Sequence, residues 1–266
     1  MKSRSIPKIP PPRITAQHFR VPSFTGLSGF YCDLLGMEEL NADKNSRAFG
    51  FSPEQCAVVF HLENVEPYQP QNNDFYWKIG ITLRDLDAAV GYLKDRGVAL
   101  PAPYQFKNIG YMSKLTDPNG FSIELLQQGF EGRAKSLPEG HFIGAQATLA
   151  HITLRVTDLV AAQTYFGEEL GMRLMSIQPV TEYGFCLYFY GWSDETLPDP
   201  DLTSVDNREW LWARPYTFIE LQHIETPSVT TRRTPLSQSG FNGFSYRKNT
   251  GGNPIFLHVS DLSHLS

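Results

Sequence analysis

The sequence predicts an α+β fold made of tandem strand, helix, three-strand modules, and three observations carry that prediction. First, the chain repeats itself at one constant offset: Arg20-Val21 returns as Arg155-Val156, Phe24 as Leu159, Phe30-Tyr31 as Tyr165-Phe166, and Leu35-Gly36-Met37 as Leu170-Gly171-Met172. Second, residues 78–93 align with residues 151–166, so another copy opens inside the first half. Third, each copy begins with a period of two and then changes to the 3.6-residue period of a helix.

The elements follow in order. Ile152, Leu154 and Val156 share one strand face while His151, Thr153 and Arg155 share the other, which predicts a half-buried strand. Leu159, Ala162, Phe166 and Leu170 then recur at helical spacing, with Gly171 placed to end the helix. The second copy repeats the plan with Leu86, Ala89, Val90 and Leu93, closed by Gly97. β-rich segments come after each helix, at residues 57–62, 121–126, 185–190 and 217–222. Asp117-Pro118-Asn119-Gly120 predicts a tight turn into one of them, since proline presets φ and Asn-Gly tolerates positive φ.

The expected organisation is a flexible, basic, proline-rich arm at 1–13 and a first domain at 14–128, with modules at about 14–66 and 74–128. A glycine-containing linker at 129–146 leads to a second domain at 147–266, with a full module at 147–225 and a shortened one at 240–266. In the shortened module, residues 240–246 read as an opening strand and 252–257 as a closing one, with the helix and two strands between them absent. The acidic segment 192–210 reads as a solvated insertion.

Composition narrows the function. Lys and Arg number 23 against 28 Asp and Glu, a formal net charge of −5, so a nucleic-acid partner is not expected. No window approaches the roughly 18 apolar residues of a membrane span. Cys32, Cys56 and Cys186 form an odd set without a C-x-x-C pair, which predicts neither a disulfide framework nor a thiolate zinc site and points to a reducing, cytoplasmic setting.

The repeated module, the Asp-Pro-Asn-Gly turn before Ile123-Glu124-Leu125, and four segments of the third copy resemble the vicinal oxygen chelate superfamily of glyoxalase I, extradiol dioxygenases, and fosfomycin and bleomycin resistance proteins. Those segments are Leu154-Arg155-Val156-Thr157-Asp158, Glu169-Leu170-Gly171-Met172, Leu187-Tyr188-Phe189 and Trp212-Ala213-Arg214-Pro215-Tyr216-Thr217-Phe218-Ile219-Glu220-Leu221-Gln222-His223, and they are most similar to the first half of glyoxalase I (lactoylglutathione lyase). The resemblance implies curved mixed sheets with helices outside and two adjacent modules curling into a cleft. It also implies a divalent metal, Fe, Ni, Zn, Mn or Co, acting as a Lewis acid on a small oxygenated substrate, in a lyase, an isomerase or a ring-cleaving dioxygenase.

Carried over residue by residue, the resemblance makes His151 and Glu220 metal ligands, Glu220 also the catalytic base, and Arg155 the substrate-binding anchor. The remaining ligand places of that half fall near residues 241–243 and on Phe256, so His258 or a second chain in a homodimer is expected to complete the set. The first half offers Ala16, His61, Lys78 and Glu124. Lys78 puts a positive charge where a cation would go, so that half is expected to be metal-free, with Lys78 and Glu124 as a structural salt bridge. Three readings stand: a metal-dependent enzyme, a metal-free small-molecule binding module, and a non-catalytic relative. Beside them stand the plainer readings of His151 as a hydrogen-bonded strand histidine, Arg155 as a solvated strand residue, and the aromatic runs near 185–192 and 210–216 as cleft lining or core.

Overall fold

The computed structural model describes residues 11–225, 230–248 and 252–265. The first ten residues of the expected arm lie outside the described residues. Its last residue, Arg13, already belongs to a strand, with its guanidinium 4.4 Å over the Tyr216 ring and Nη1 donating to the Trp192 carbonyl at 2.7 Å.

The order strand, helix, three strands occurs three times. It runs through β1 (Arg13–Val21), a π-helical turn (Gly29–Leu34), β2 (Glu38–Ala42), β3 (Ser46–Gly50) and β4 (Ala57–Leu62). It recurs in β5 (Tyr76–Leu83), α1 (Leu86–Asp95), β6 (Tyr104–Phe106), β7 (Gly110–Thr116) and β8 (Ser122–Gln127). The third run is β9 (Thr148–Val156), α2 (Leu159–Gln163) extended by a π-helical turn (Thr164–Glu169), β10 (Arg173–Val180), β11 (Phe185–Gly191), α3 (Asp206–Trp212) and β12 (Phe218–Ile224). β13 (Gly240–Arg247), β14 (Ile255–His258) and a 3-10 turn (Val259–Leu265) follow. The helices start where the side chains of Asp85 and Asp158 accept the amides of Ala88 and Ala161, and Gly97 and Gly171 end them at φ +80° and +65°.

The mixed sheets and outer helices make an α+β fold, as the sequence predicts. In each of the three runs the opening strand lies parallel to the closing one: β1 with β4, β5 with β8, β9 with β12. The second and third modules join edge to edge through antiparallel β5 and β9, giving an eight-stranded sheet in the order β10-β11-β12-β9-β5-β8-β7-β6. The first module joins β13 and β14 in a six-stranded sheet, β14-β13-β1-β4-β3-β2, through antiparallel β1 and β13. The sheets therefore group the modules differently from the division at 129–146, which follows chain order. Apolar faces of both sheets, including Phe19, Phe60, Phe121, Ile79, Ile152 and Leu154, meet in one large core.

Three expectations need correction. β14 was expected to close a module, but it pairs antiparallel with β13, unlike the parallel closing strands elsewhere. β9 was expected to be half-buried, yet all nine of its residues are buried, because it is a central strand covered on both faces. The insertion at 192–210 is not merely solvated. Asn207 and Arg208 are buried, and Asn207 ties the segment together by accepting from Asp199 N and donating to the carbonyls of Asp199 and Asp201 at 2.9–3.0 Å. No helix among the described residues is long and apolar enough to cross a membrane.

The Asp117 turn forms as expected, and it holds a buried carboxylate. Its oxygens accept from the amides of Asn119 and Phe121 at 2.9 and 2.8 Å and from the Tyr31 hydroxyl at 3.0 Å. Burial nevertheless pushes the carboxyl up to about 7, the hydrogen bonds offsetting only part of the effect. A raised carboxyl gives stability that is full below the unfolded value near 3.8 and is lost as pH rises toward 7. Asp117→Asn should therefore flatten the stability profile between these limits, so that urea midpoints at pH 4.5 and pH 7.5 differ less in the variant than in the wild type. Equal pH dependence in both proteins would contradict the assignment.

Candidate metal centre

The floor of the site is a patch of four strands. Pairing of β5 with β8 sets Lys78 beside Ser122 and Gly80 beside Glu124, and pairing of β5 with β9 sets Lys78 beside Thr153 and Gly80 beside His151. Pairing of β9 with β12 adds Phe218 beside His151 and Glu220 beside Thr153. Lys78, Glu124, His151 and Glu220 therefore project from one face, and Ile79, Ile81, Ile152 and Leu154 enter the core on the other. The β5–β9 register shifts at Trp77 and at Ala150, so each strand carries an extra residue next to a site residue. Such bulges re-aim neighbouring side chains.

The four groups converge. Lys78 Nζ lies 2.7 Å from Glu124 Oε1 and 3.4 Å from Glu220 Oε1. His151 Nε2 lies 3.2 Å from Glu220 Oε2 and 3.5 Å from Glu124 Oε1. Exposure is 6% for Lys78, 4% for Glu124, 0% for His151 and 2% for Glu220, so water does not supply the missing partners of these charges. Burial alone would push the Lys78 ammonium down, but the two carboxylates more than reverse this. Burial likewise works against the Glu124 carboxylate, and the Lys78 ammonium with the nearby His151 ring reverses it, leaving Glu124 well below the usual carboxylate range.

Glu124, His151 and Glu220 form a group that could hold a metal ion, each offering one ligand atom, with all three atoms within 4.8 Å of one another. Nitrogen and oxygen ligands sit about 2.0–2.2 Å from an ion such as zinc, which puts neighbouring ligands roughly 3 Å apart. The His151 to carboxylate distances of 3.2 and 3.5 Å meet that requirement. His151 Nε2 faces both carboxylates without an aligned hydrogen bond to either among the described residues, so the ring nitrogen and the carboxylate oxygens point at a common place rather than being tied pairwise. The two buried carboxylates outnumber the one buried ammonium, and the excess negative charge favours a cation. The residues fit a divalent ion, with Lys78 as the departure.

His151 is held from both sides. Its ring stacks on Phe218 at 5.7 Å and lies 6.2 Å from Trp212. Beneath it, Gly80 leaves room that no other residue would: a Cβ there would lie 2.0 Å from His151 Cε1 and 2.1 Å from Nε2. Above the floor opens a cavity of about 360 Å³ with Lys78, Lys114, Glu124 and Glu220 at its polar end. Its walls are Trp77, Phe106, Met112, Phe185, Phe189 and Trp212, among others. α3 brings Trp212 to this wall, with its Nε1 donating to the Ile109 carbonyl at 2.9 Å. Arg208 and Glu209 hold α3 against the neighbouring module through Asn108, Phe130 and Arg133.

The structure brings together His151 and Glu220, and it corrects where their partners come from. Lys78 and Glu124 were assigned to a separate, metal-free cleft, but antiparallel β5 and β9 place them in the same one. The third residue of the group that could hold an ion is Glu124, where the sequence reading looked to residues 241–243, Phe256, His258 or a second chain. Phe241, Gly243, Phe256 and His258 belong to the other sheet, and His258 Nδ1 is hydrogen-bonded to Ser260 Oγ at 2.7 Å. Arg155 is not at the cavity wall. Its Nε donates to Gln222 Oε1 at 2.9 Å and its Nη1 to the Asp74 carbonyl at 3.0 Å, with the guanidinium 4.5 Å over Trp77. Arg20, at the repeat position, likewise holds the carbonyls of Thr234, Pro235 and Gln238. Trp212 falls in the aromatic run read as cleft lining or core, and it lines the cavity; Gly80 was missed. The signal for it was a glycine inside a strand pattern, two residues after Lys78.

The description "Glyoxalase/Bleomycin resistance protein/Dioxygenase superfamily" matches residues 17–125. Two relatives from Arabidopsis thaliana are similar to the chain. "Probable lactoylglutathione lyase, chloroplastic" is 25% identical over 189 residues, 66% of this chain and 49% of the relative. "Lactoylglutathione lyase GLX1" is 26% identical over 188 residues, 66% of this chain and 61% of the relative. The chain thus matches about half to three fifths of the length of these curated relatives. Among solved structures, glyoxalase I from Zea mays superposes with a TM-score of 0.61 at 19% identity, covering 88% of this chain and 74% of that one, a likeness of fold.

Gly80→Ala tests the geometry of the floor. The added methyl should displace the His151 ring and destabilise the protein by about 1–3 kcal/mol in urea unfolding, as overpacking does. Unchanged stability would mean that the ring does not lie over residue 80.

Proposed function

We propose that this chain, which resembles the vicinal oxygen chelate superfamily and within it glyoxalase I, is a metal-dependent lyase or isomerase acting on a small substrate with neighbouring oxygens and an apolar body. The convergence of Glu124, His151 and Glu220, with Glu124 and Glu220 lining an apolar cavity, carries this reading. A divalent ion held by these three residues, from the set Fe, Ni, Zn, Mn and Co, would supply Lewis acidity to the substrate oxygens. The chain's own groups do the rest. Phe106, Phe189 and Trp212 take the apolar body and exclude water, which strengthens every charge interaction at the floor. Glu220 is the base in this reading. It lines the cavity, and its Oε1, the oxygen that is not in contact with His151, lies 3.4 Å from Lys78 Nζ and is in this reading the atom that takes the proton next to a substrate carbonyl. Arg155 holds β9 to β12 and steadies Trp77, and so positions the wall without touching substrate. The three cysteines are free thiols, which suits a reducing compartment such as the cytoplasm.

Lys78 favours a second reading, a metal-free module that sequesters a planar or apolar ligand, because its ammonium already bridges both carboxylates. Elemental analysis of the purified protein beside His151→Ala separates the two. The enzyme reading expects a near-stoichiometric divalent metal that the variant loses, and absence of metal in wild type grown with each of the five ions would overturn it. A homodimer is also part of this reading. β14 is an edge strand whose Ile255 and Phe256 are 37% and 46% exposed, and paired edges are protected ones. Light scattering should give twice the chain mass, and a monomer would count against it.

A further inference from the structure

We propose that Lys78 is a built-in competitor for the metal: its ammonium bridges the two carboxylate ligands in the ion's absence and must leave them when the ion binds. The inference rests on the metal reading above and concerns what sets affinity at that site. Lys78 Nζ contacts Glu124 Oε1 at 2.7 Å and Glu220 Oε1 at 3.4 Å, and Glu124 Oε1 is the same oxygen that lies 3.5 Å from His151 Nε2. One oxygen is therefore offered both to the ammonium and to the ion. A divalent ion shared by Glu124, His151 and Glu220 would sit close to Nζ, and two cations repel strongly at such a distance in a buried site. The same bridge offsets the cost of burying the two carboxylates. Two carboxylates at 4% and 2% exposure with no cation between them would be costly to bury.

The side chain has somewhere to go. Lys78 lines both the aromatic cavity and a neighbouring hollow formed with Val98, Ala99, Lys114, Thr116 and Ser122. Trp77, whose ring lies 4.5 Å from Nζ, borders both spaces and offers the ammonium a π-face. Displacement of Lys78 therefore needs a change of rotamer and no movement of β5. Lys114 differs. It is opposite Glu124 in the β7–β8 register but is exposed and makes no ion pair within 4 Å among the described residues. Removing its charge alters the field without vacating the corner.

The test is calorimetric titration of chelator-treated protein with Zn²⁺ and Co²⁺, comparing wild type, Lys78→Met and Lys114→Met. Methionine keeps the length of lysine and gives a hard ion no good ligand. Lys78→Met should bind about tenfold tighter or more, while Lys114→Met stays within roughly threefold of wild type. Metal-free Lys78→Met should also melt below wild type and gain more from added ion. Binding by Lys78→Met that is equal to or weaker than wild type overturns the competitor role and leaves the metal reading intact. Absence of binding by all three proteins overturns the metal reading and this inference with it. If Lys78→Met folds only with the ion present, its rate of metal loss to a chelator is read instead. Loss slower than wild type by about tenfold supports the proposal, and equal or faster loss overturns it.

Discussion

The antiparallel pairing of β5 with β9 is the constraint on which the site depends. It joins two modules so that the opening strand of each presents a charged or ligating side chain, Lys78 or His151, next to the carboxylate of the other's closing strand. Each carboxylate has its nearest partner in its own module, Lys78 for Glu124 at 2.7 Å and His151 for Glu220 at 3.2 Å. The seam adds a second partner to each, Lys78 for Glu220 at 3.4 Å and His151 for Glu124 at 3.5 Å, so the shared floor completes what each module begins. Electrostatics and architecture are here one arrangement.

The walls follow a different logic. The floor is strand-borne and rigid, whereas the aromatic lining comes partly from α3, an insertion in the third module that is tied to the second by Trp212, Arg208 and Glu209. Catalytic precision benefits from rigid elements, and ligand selection from surface segments that tolerate change. The division matches that pattern: charged and ligand-type groups on β5, β8, β9 and β12, and much of the aromatic lining on α3 and β11.

Much of this was legible in the sequence. Alternation in residues 151–156 separated the His151 face from the Ile152 face, and the repeat placed His151 and Glu220 at opposite ends of one module. Glu124 and Lys78 were visible too, but they were assigned to another cleft, because local periodicity states which residues share a face and not which module edges meet. The decision between those edges lies in long-range packing. The 210–216 aromatic run was readable as cleft lining or core, but how it docks was not, since the acidic run at 194–209 masks the buried Asn207 and Arg208 that hold the segment. The surroundings of Arg155 were not legible, because residue type at a repeat position does not tell that its guanidinium holds a backbone carbonyl, as that of Arg20 also does.

The nesting of one sheet's modules inside the other's carries a consequence for assembly. The eight-stranded sheet is complete once β12 exists, but β1 must wait for β13, and Thr15 meets the Ser245 carbonyl across 230 residues of chain. Closing so long a loop is slow relative to local pairing. The first module to leave the ribosome is thus the last to be sealed, and its β1 edge stands open through most of synthesis, where a chaperone or a wrong strand can reach it.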